Sequence, residues 1–250
     1  MEDKELNLLD HLDELRRRAI YVLLTFVVFF IVGFVYVEDI YKFFTASVNG
    51  KLLALGPGEI IWIYFSLAGV AGIAASIPML AYQIWKFVAP ALKEREKKAT
   101  IKYIPLFFIL FMIGLAFGYY ILFPMILMFV IDLGSELIET AFTAQKYFSF
   151  LLSTLLPIGL LFELPLVISF LTNLGLLTPT FLKVNRKYAY FFLYLAAMMI
   201  TPPDIITAVL VSIPLFGLYE ISIFVSQVIY KRKLDRDKAW EESEGFNLEE

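Results

Sequence analysis

The chain has 250 residues, of which 60% are hydrophobic and 17% aromatic, and its mean hydropathy is +0.77. This apolar share exceeds that of soluble domains and predicts a membrane protein. The absence of cysteine and the single histidine exclude disulfides, iron–sulfur clusters and thiol catalysis, and leave almost no ligands for zinc or haem. We therefore expect no metal chemistry. The net charge of −3 conceals a sorting of basic and acidic residues along the chain.

The N-terminal segment, residues 5–18, is predicted to be an amphipathic helix that continues into the first apolar run. Leu8, Leu12 and Leu15 recur at helical spacing on one face, and Glu14 lies beside that stripe. The segment lacks the short basic region and the cleavage site of a signal peptide. We expect it to remain in the mature protein.

Six apolar runs follow. A bilayer core roughly 30 Å thick needs about 20 apolar residues per helix, and lipid admits only helices or closed barrels. Because these runs are too long for barrel strands, we predict six transmembrane helices, at Ala19–Val37, Ile60–Val88, Tyr103–Ile131, Phe148–Leu174, Tyr188–Ile200 and Ile205–Val228. The fifth reaches only roughly 20 Å, so it must recruit its flanks or lie in thinned bilayer.

The positions of the basic residues predict the orientation. All but four of the 21 lysines and arginines lie in the N-terminus, the second loop, the fourth loop and the tail. Because short cytoplasmic loops are rich in Lys and Arg, both termini are expected in the cytoplasm. The opposite loops carry acids instead, at Glu38, Asp39, Glu59, Asp132, Glu136 and Glu139.

The sequence shows no separable soluble domain and no internal repeat. We predict one six-helix membrane domain, residues 1–230, and a disordered cytoplasmic tail, residues 231–250, which is acidic after Trp240. The loops Glu38–Glu59 and Asp132–Tyr147 are long enough to cap the bundle and carry no catalytic motif.

Prolines and one carboxylate mark the spans. Six prolines lie within or at the edges of spans and can kink their helices, which would bow the bundle into a curved wall: Pro78, Pro105, Pro124, Pro157, Pro165 and Pro214.

Glu163 lies near the middle of the fourth span, where a charge costs about 2.5–3.5 kcal/mol on insertion scales. It either faces protein, water or a ligand, or is protonated by desolvation.

The sequence leads us to consider two functional classes, a coupled transporter and an intramembrane protease. A proton- or ion-coupled transporter of small solutes would use Glu163 and Glu220, although Glu220 lies either deep in the membrane or near its surface. An intramembrane protease needs a serine–histidine pair or paired aspartates in the membrane, and His11 lies outside the predicted spans.

The second loop joins acids to a basic run. In FVAPALKEREKK, Phe87–Lys98, the carboxylates Glu94 and Glu96 lie among lysines and an arginine where an apolar span ends. A cytoplasmic loop that presents an acid at the membrane surface suggests a docking site for a basic ligand. The alternative for Glu96 is a helical partner of Lys93, worth tenths of a kcal/mol.

Four motifs in order resemble the TatC family, the multi-spanning subunit of the twin-arginine protein translocase. They are HLDELRRR at His11–Arg18, YQIWKFVAPALKEREKK at Tyr82–Lys98, FELP at Phe162–Pro165 and TPPD at Thr201–Asp204. The resemblance covers nearly the whole chain. It implies six helices in a concave arrangement, no enzymatic activity and no cofactor. It also implies a receptor in the prokaryotic cytoplasmic membrane that binds twin-arginine signal peptides of folded cargo proteins.

The resemblance assigns roles to particular residues. Glu14 and Glu96 would contact the arginine pair, whose planar forks suit bidentate pairing with carboxylates. Glu163 would be the polar residue of the concave membrane face, and Asp204 the acid of the short outer turn. The surface around the two glutamates would be shaped by Arg16, Gln83, Phe87 and Pro90. The implied partners are single-span TatA and TatB subunits, further copies of the chain and membrane lipid, with no nucleic acid.

Overall fold

The computed structural model describes residues 2–46, 52–92, 97, 100–134, 143–201 and 204–247. Their regular structure is helical, and the one extended pairing among them is an isolated bridge between Leu53 and Thr143. The α-helices are α1 Glu2–Val35, α2 Val37–Thr45, α3 Pro57–Val88, α4 Tyr103–Phe117, α5 Phe123–Gly134, α6 Ala144–Leu161, α7 Leu164–Leu174, α8 Pro179–Val184, α9 Arg186–Ile200 and α10 Ile205–Asn247.

Five stretches of the described residues are long and apolar enough to cross a membrane. They are Asp13–Val35, Pro57–Val88, Tyr103–Asp132, Ala144–Leu174 and Ile205–Asp235. They match five of the six predicted spans. The remaining one, Tyr188–Ile200, lies within α9, whose 15 residues are too few to meet the same criterion.

The described residues group into two compact units, one within residues 1–91 and 104–159 and the other within residues 92–103 and 160–250. The single membrane domain of residues 1–230 and the disordered tail of residues 231–250 stay predictions. Helix α10 extends as far as Asn247. At the other terminus, α1 joins the predicted amphipathic segment and the first span in one uninterrupted helix.

In the first unit, α1 packs closely along α3 because small residues lie at their contact. A Cβ added to Gly33 would lie 3.0 Å from the Cβ of Ala71 and 3.2 Å from the carbonyl oxygen of Ala68. A Cβ at Gly72 would lie 3.1 Å from the ring of Phe26. Such small residues let membrane helices approach each other closely, and dispersion between them then holds the pair.

Aromatic rings extend this contact towards the C-terminal end of α1. Phe30 and Phe34 of α1 both lie against Phe65 of α3, with ring centroids 5.8 and 5.5 Å apart. Phe34 also meets Tyr64 edge to face at 5.9 Å. Edge contacts of this kind each contribute about 0.5–1.5 kcal/mol beyond area burial. The α1–α3 pair is therefore a defined two-helix element of the first unit.

The loop after the first span contains a helix that the sequence analysis did not predict. Helix α2 starts with Glu38 and Asp39 in its first turn, a favourable position for acids at a helix N-terminus. The hydroxyl of Tyr147 donates to the carbonyl oxygen of Phe44 at 3.0 Å. The Ala144 amide donates to the carbonyl oxygen of Leu53 at 2.7 Å. These two bonds join the described part of the first loop to the start of α6.

Two of the prolines coincide with breaks in regular α-helix. Residues Phe162 and Glu163 separate α6 from α7, and Pro165 follows directly, where its ring clashes with the carbonyl of a preceding helical turn. A π-helical turn, Gly118–Leu122, precedes Pro124 and separates α4 from α5. By contrast, Pro78, Pro157 and Pro214 lie inside α3, α6 and α10.

The second unit is built around α10. The Oγ1 of Thr172 in α7 and the Oγ of Ser226 in α10 lie 2.8 Å apart, and both side chains are fully buried. The hydroxyl of Tyr219 in α10 donates to the carbonyl oxygen of Leu182 in α8 at 2.9 Å. Buried hydroxyl pairs of this kind join membrane helices without exposing polar groups to lipid. They fix the sides of α10 that face α7 and α8.

Candidate functional site

A groove runs between α1 and α3 in the first unit. Its volume is about 530 Å³, within the usual range of ligand pockets. Apolar side chains form most of its walls, and Arg18 and Gln83 are the main polar groups. The groove residues are Leu15, Arg18, Ala19, Val22, Leu23 and Phe26 of α1 and Ile73, Ser76, Ile77, Leu80, Gln83, Ile84 and Phe87 of α3.

Glu14 lies at the polar end of this groove through its contact with Arg18. Arg18 donates from Nη2 to a carboxylate oxygen of Glu14, one helical turn earlier in α1. The two side chains differ in exposure, since Arg18 is 11% exposed and Glu14 is 39% exposed. The carboxylate of Glu14 is therefore partly exposed to solvent while it pairs with Arg18.

The structure brings two further predicted residues to the same place. Gln83 is 7% exposed and its amide nitrogen lies 3.8 Å from the sulfur of Met79, one turn earlier in α3. Phe87, one turn beyond Gln83, lines the groove beside it. Glu14, Gln83 and Phe87 thus surround one surface, formed where the N-terminal half of α1 meets the last turns of α3.

Pro90 and Arg16 lie outside the walls of the groove. Pro90 is exposed in a short 3₁₀ turn, Ala89–Ala91, that ends α3. Arg16 is 77% exposed and forms a surface ion pair with Asp13 at 3.5 Å. A pair so open to water contributes little to stability. Both side chains are accessible to a partner at the membrane surface.

Glu96, the second predicted contact for an arginine pair, lies outside the described residues, as does Glu94. The described chain resumes after Leu92 at Lys97 and again from Thr100. The two-carboxylate arrangement predicted for Glu14 and Glu96 therefore stays a prediction.

Glu163 lies in the second unit at the break before α7. Its side chain is buried at 7% exposure. Its carbonyl oxygen accepts from the amides of Leu166 and Val167, at 3.0 and 2.9 Å, so its backbone begins the helix. A carboxyl group buried at a helix start in a membrane span is costly to ionise unless it is compensated. The predicted position of Glu163, interior to a span, agrees with this burial.

Asp204 caps the start of α10. Its Oδ2 accepts from the amide of Thr207 at 2.9 Å, and its carbonyl oxygen accepts from the amide of Ala208 at 3.2 Å. An aspartate in this position satisfies one of the free amides at a helix N-terminus. The sequence predicts Asp204 in a turn; its capping role has a local signal that was missed, an aspartate directly before an apolar helical run.

Glu220 is committed to an ion pair in the second unit. Arg186 Nη2 donates to Oε2 of Glu220 at 2.9 Å, and Arg186 Nε lies 2.8 Å from Oε1. Tyr190 donates its hydroxyl to the same carboxylate. The carboxylate of Glu220 therefore joins α9 to α10. The transporter interpretation would need the same carboxylate to bind a transported ion.

Sequence reasoning missed the role of Arg18. It treated residues 16–18 as a basic run that sets membrane orientation, and the three arginines look equivalent in that pattern. Helical spacing offered a signal, because Glu14 and Arg18 are four residues apart and such pairs meet on one face. Burial against α3 distinguishes Arg18 from the exposed Arg17, and it depends on tertiary packing.

Taken together, the long apolar helices and the polar-ended groove define a multi-pass α-helical membrane protein. Residues 10–214 match the family model described as Sec-independent protein translocase protein (TatC). The chain belongs to the TatC family.

Individual relatives extend this match to nearly the full length. The chain is 49% identical over 239 residues to the Sec-independent protein translocase protein TatCd of Bacillus subtilis (strain 168), covering 96% of this chain and 99% of that protein. It is 38% identical over 253 residues to a TatC protein of Halalkalibacterium halodurans, covering 98% and 100%.

A solved structure gives the same result for the fold. The crystal structure of a twin-arginine translocase receptor, TatC, matches with a TM-score of 0.77 at 33% identity, over 88% of this chain and 99% of that one. The family resemblance inferred from the four motifs is confirmed. The family consists of non-enzymatic translocase components, and the comparisons do not support the alternative of a coupled solute transporter.

Proposed function

We propose that this chain is the receptor and core subunit of a twin-arginine translocase, which binds twin-arginine signal peptides and mediates export of folded proteins. The observation that carries the proposal is the surface where Glu14 lies beside Arg18, Gln83 and Phe87 in a chain of this family. That surface offers a partly exposed carboxylate next to an apolar groove. An arginine pair followed by an apolar segment has the complementary chemistry.

The carboxylate of Glu14 suits arginine better than lysine. A guanidinium presents several donors in a planar fork and pairs with both oxygens of a carboxylate, whereas an ammonium is a point charge. Because Glu14 is 39% exposed, water and salt weaken each such pair. We propose that Glu96 supplies the second carboxylate, and that Arg16, Gln83, Phe87 and Pro90 shape the surface around them.

Binding of a labelled signal peptide tests this proposal. The full chain, reconstituted in nanodiscs, is titrated with one peptide that carries an arginine pair and with a second peptide that carries two lysines. We expect Glu14→Gln to weaken binding of the arginine peptide about tenfold, equivalent to about 1.4 kcal/mol. Glu96→Gln should have a similar effect, and the double variant should bind the two peptides equally.

Asp13→Asn is the matched control. Asp13 precedes Glu14, is 70% exposed, and pairs with Arg16 on the surface. Removal of its charge changes the local potential as much as Glu14→Gln does, so it should change binding less than twofold if the site is specific. Equal losses for the two variants, or undiminished binding in the double glutamate variant, would reject the site.

We further propose six spans with both termini in the cytoplasm of a prokaryote, the fifth span being α9. Its 15 residues give roughly 22 Å of helix, so the bilayer must thin around it or its flanks must enter the membrane. The chain has no cysteine, which makes single-cysteine labelling direct. Val184→Cys and Ile205→Cys flank α9 and are exposed at 71% and 70%. Impermeant maleimide should label them from opposite sides of the membrane.

The proposed partners are single-span TatA- and TatB-type subunits, further copies of the chain and membrane lipid. Co-purification of tagged single-span subunits with the chain in mild detergent tests this part. Retention of those subunits by the Glu14 and Glu96 variants would show that partner assembly and peptide recognition use different surfaces.

A further inference from the structure

We propose that the groove between α1 and α3 binds an anionic phospholipid, with one acyl chain between the helices and the phosphate on Arg18. The groove is the one that lies beside the proposed peptide surface, so signal-peptide binding is measured as a rival occupancy in the test. The groove is open along its side, and its walls are almost entirely apolar below Arg18 and Gln83. An extended apolar chain with a polar, anionic end matches that distribution.

Arg18 supplies the charge complementarity. Nη2 is used by Glu14, while Nε and Nη1 are buried and have no hydrogen-bond partner among the described residues. Buried donors left without a partner are costly, and a nearby acceptor relieves that cost. Within a guanidinium Nε–H shares its edge with Nη2 and not with Nη1, so the two unused donors point in different directions. Each of them offers a place for one anionic oxygen, and a phosphate group carries several such oxygens.

The depth of Arg18 agrees with a phospholipid headgroup. Glu14, Arg16 and Arg17 precede it in the polar part of α1, and the apolar run begins at Ala19. Arg18 therefore lies at the boundary between the headgroup region and the hydrocarbon. Basic pockets between membrane helices at this depth are suited to anionic headgroups, which attract each Lys or Arg near the surface.

Other occupants fit less well. A twin-arginine peptide brings positive charge, which Arg18 repels, so its arginines belong with Glu14 on the exposed side. A second copy of the chain would have to present an acid to Arg18 at the edge of the bilayer. A phospholipid is already present at that depth and needs no other chain.

Native mass spectrometry of the purified full chain tests the proposal. The protein in mild detergent is titrated with phosphatidylglycerol and, separately, with phosphatidylcholine carrying the same acyl chains. We expect preferential retention of one phosphatidylglycerol, and we expect Arg18→Gln to weaken its binding about tenfold. Arg18→Lys should give an intermediate affinity, because lysine keeps the charge but presents it as a single ammonium group without the separate Nε donor.

Two matched controls distinguish a specific lipid site from a general effect of positive charge or of added apolar surface. Arg17→Gln removes an exposed neighbouring cation and should change phosphatidylglycerol binding less than twofold. Leu80→Trp fills the groove and should weaken binding of both lipids with Arg18 intact. Ile61→Trp adds the same ring to α3 at a position that is 60% exposed and does not line the groove, and should leave binding unchanged.

Equal effects of Arg17→Gln and Arg18→Gln would overturn the proposal, because the attraction would then be diffuse. Lipid binding that survives Leu80→Trp, with loss of chain dimers or of signal-peptide binding instead, would assign the groove to those occupants and also overturn it. Circular dichroism and gel filtration verify that each variant is folded. Arg18→Gln and Leu80→Trp alter different ends of the groove, so one misfolded variant leaves the other decisive.

Discussion

Arg186 and Glu220 form an ion pair that joins the first turn of α9 to the middle of α10, with Nη2 and Oε2 2.9 Å apart. The two residues are 34 positions apart in sequence. Tyr190 donates to the same carboxylate, and its ring stacks on Phe216 with centroids 4.5 Å apart. Short helix α9 is thus attached to α10 by charge, hydrogen bond and ring contact.

Glu220→Gln is expected to lower the free energy of unfolding by about 1 kcal/mol, because it leaves Arg186 without its counter-ion while both groups are partly exposed. Thermal unfolding in detergent measures this as a lower midpoint. The exchanged pair Arg186→Glu with Glu220→Arg should recover most of the loss. Asp13→Asn, in an exposed pair with Arg16 at 3.5 Å, is the control and should have almost no effect. Failure of the exchanged pair to recover stability would contradict a pairwise role.

Gly33→Ala should destabilise the α1–α3 pair by about 1–3 kcal/mol, because the new methyl group meets the backbone of Ala68, which cannot move aside. Gly69→Ala in α3 is the matched control. A Cβ at Gly69 meets nothing within 4 Å, so alanine there should stabilise the helix by about 0.5–1 kcal/mol. A lower unfolding midpoint for Gly33→Ala together with a higher one for Gly69→Ala would establish close packing at Gly33. Stabilisation by both substitutions would refute it.

Glu163→Ala is expected to leave signal-peptide binding within about twofold of the original and to reduce cargo transport about tenfold. The reason is that Glu163 lies buried in the second unit, while the proposed peptide surface belongs to the first. Peptide titration and export of a reporter protein measure the two effects separately.

Glu163→Gln is the matched conservative variant in the same assays. Glutamine retains the shape and much of the hydrogen-bonding capacity of the side chain, so transport should be nearly normal. Loss of peptide binding in Glu163→Ala to the extent seen for transport would argue against separate roles.

Asp204→Ala should cost about 1 kcal/mol of stability through loss of the cap on α10. Asp204→Asn keeps a side-chain oxygen that accepts from the amide of Thr207, and asparagine is an equally good capping residue. The unfolding midpoint of Asp204→Asn should therefore be higher than that of Asp204→Ala. If asparagine were as destabilising as alanine, the charge of Asp204 would matter and the hydrogen bond would not.

Local patterns accounted for most of the helical architecture. Five apolar runs correspond to helices long enough to cross a membrane, because a backbone in lipid must satisfy its polar groups within its own segment. The helix break at Glu163 also follows from a local cause, the ring of Pro165. Helix α2 had a local signal in its acidic first turn and was missed because the loop was judged by its length and charge alone.

The candidate site depended on contacts that no local pattern specifies. Among the described residues, Glu14 shares a surface with Gln83 and Phe87 only because α1 and α3 pack closely at Gly33 and Gly72. The same packing buries Arg18 and leaves its neighbour Arg17 exposed, although the two are indistinguishable in a run of three arginines.

Local composition and short motifs are enough to predict the class of protein, the positions of the apolar helices and the family. Which polar side chains meet depends on the packing of the helices. From the sequence Glu220 is a candidate ion site, whereas in the structure it pairs with Arg186. From the sequence Arg18 is part of a basic run that sets membrane orientation, whereas in the structure it is the largely buried partner of Glu14. The physical reason is that an apolar run defines one helix, whereas a polar contact requires two segments to be brought together. The small residues and aromatic rings at the helix contacts determine which segments those are.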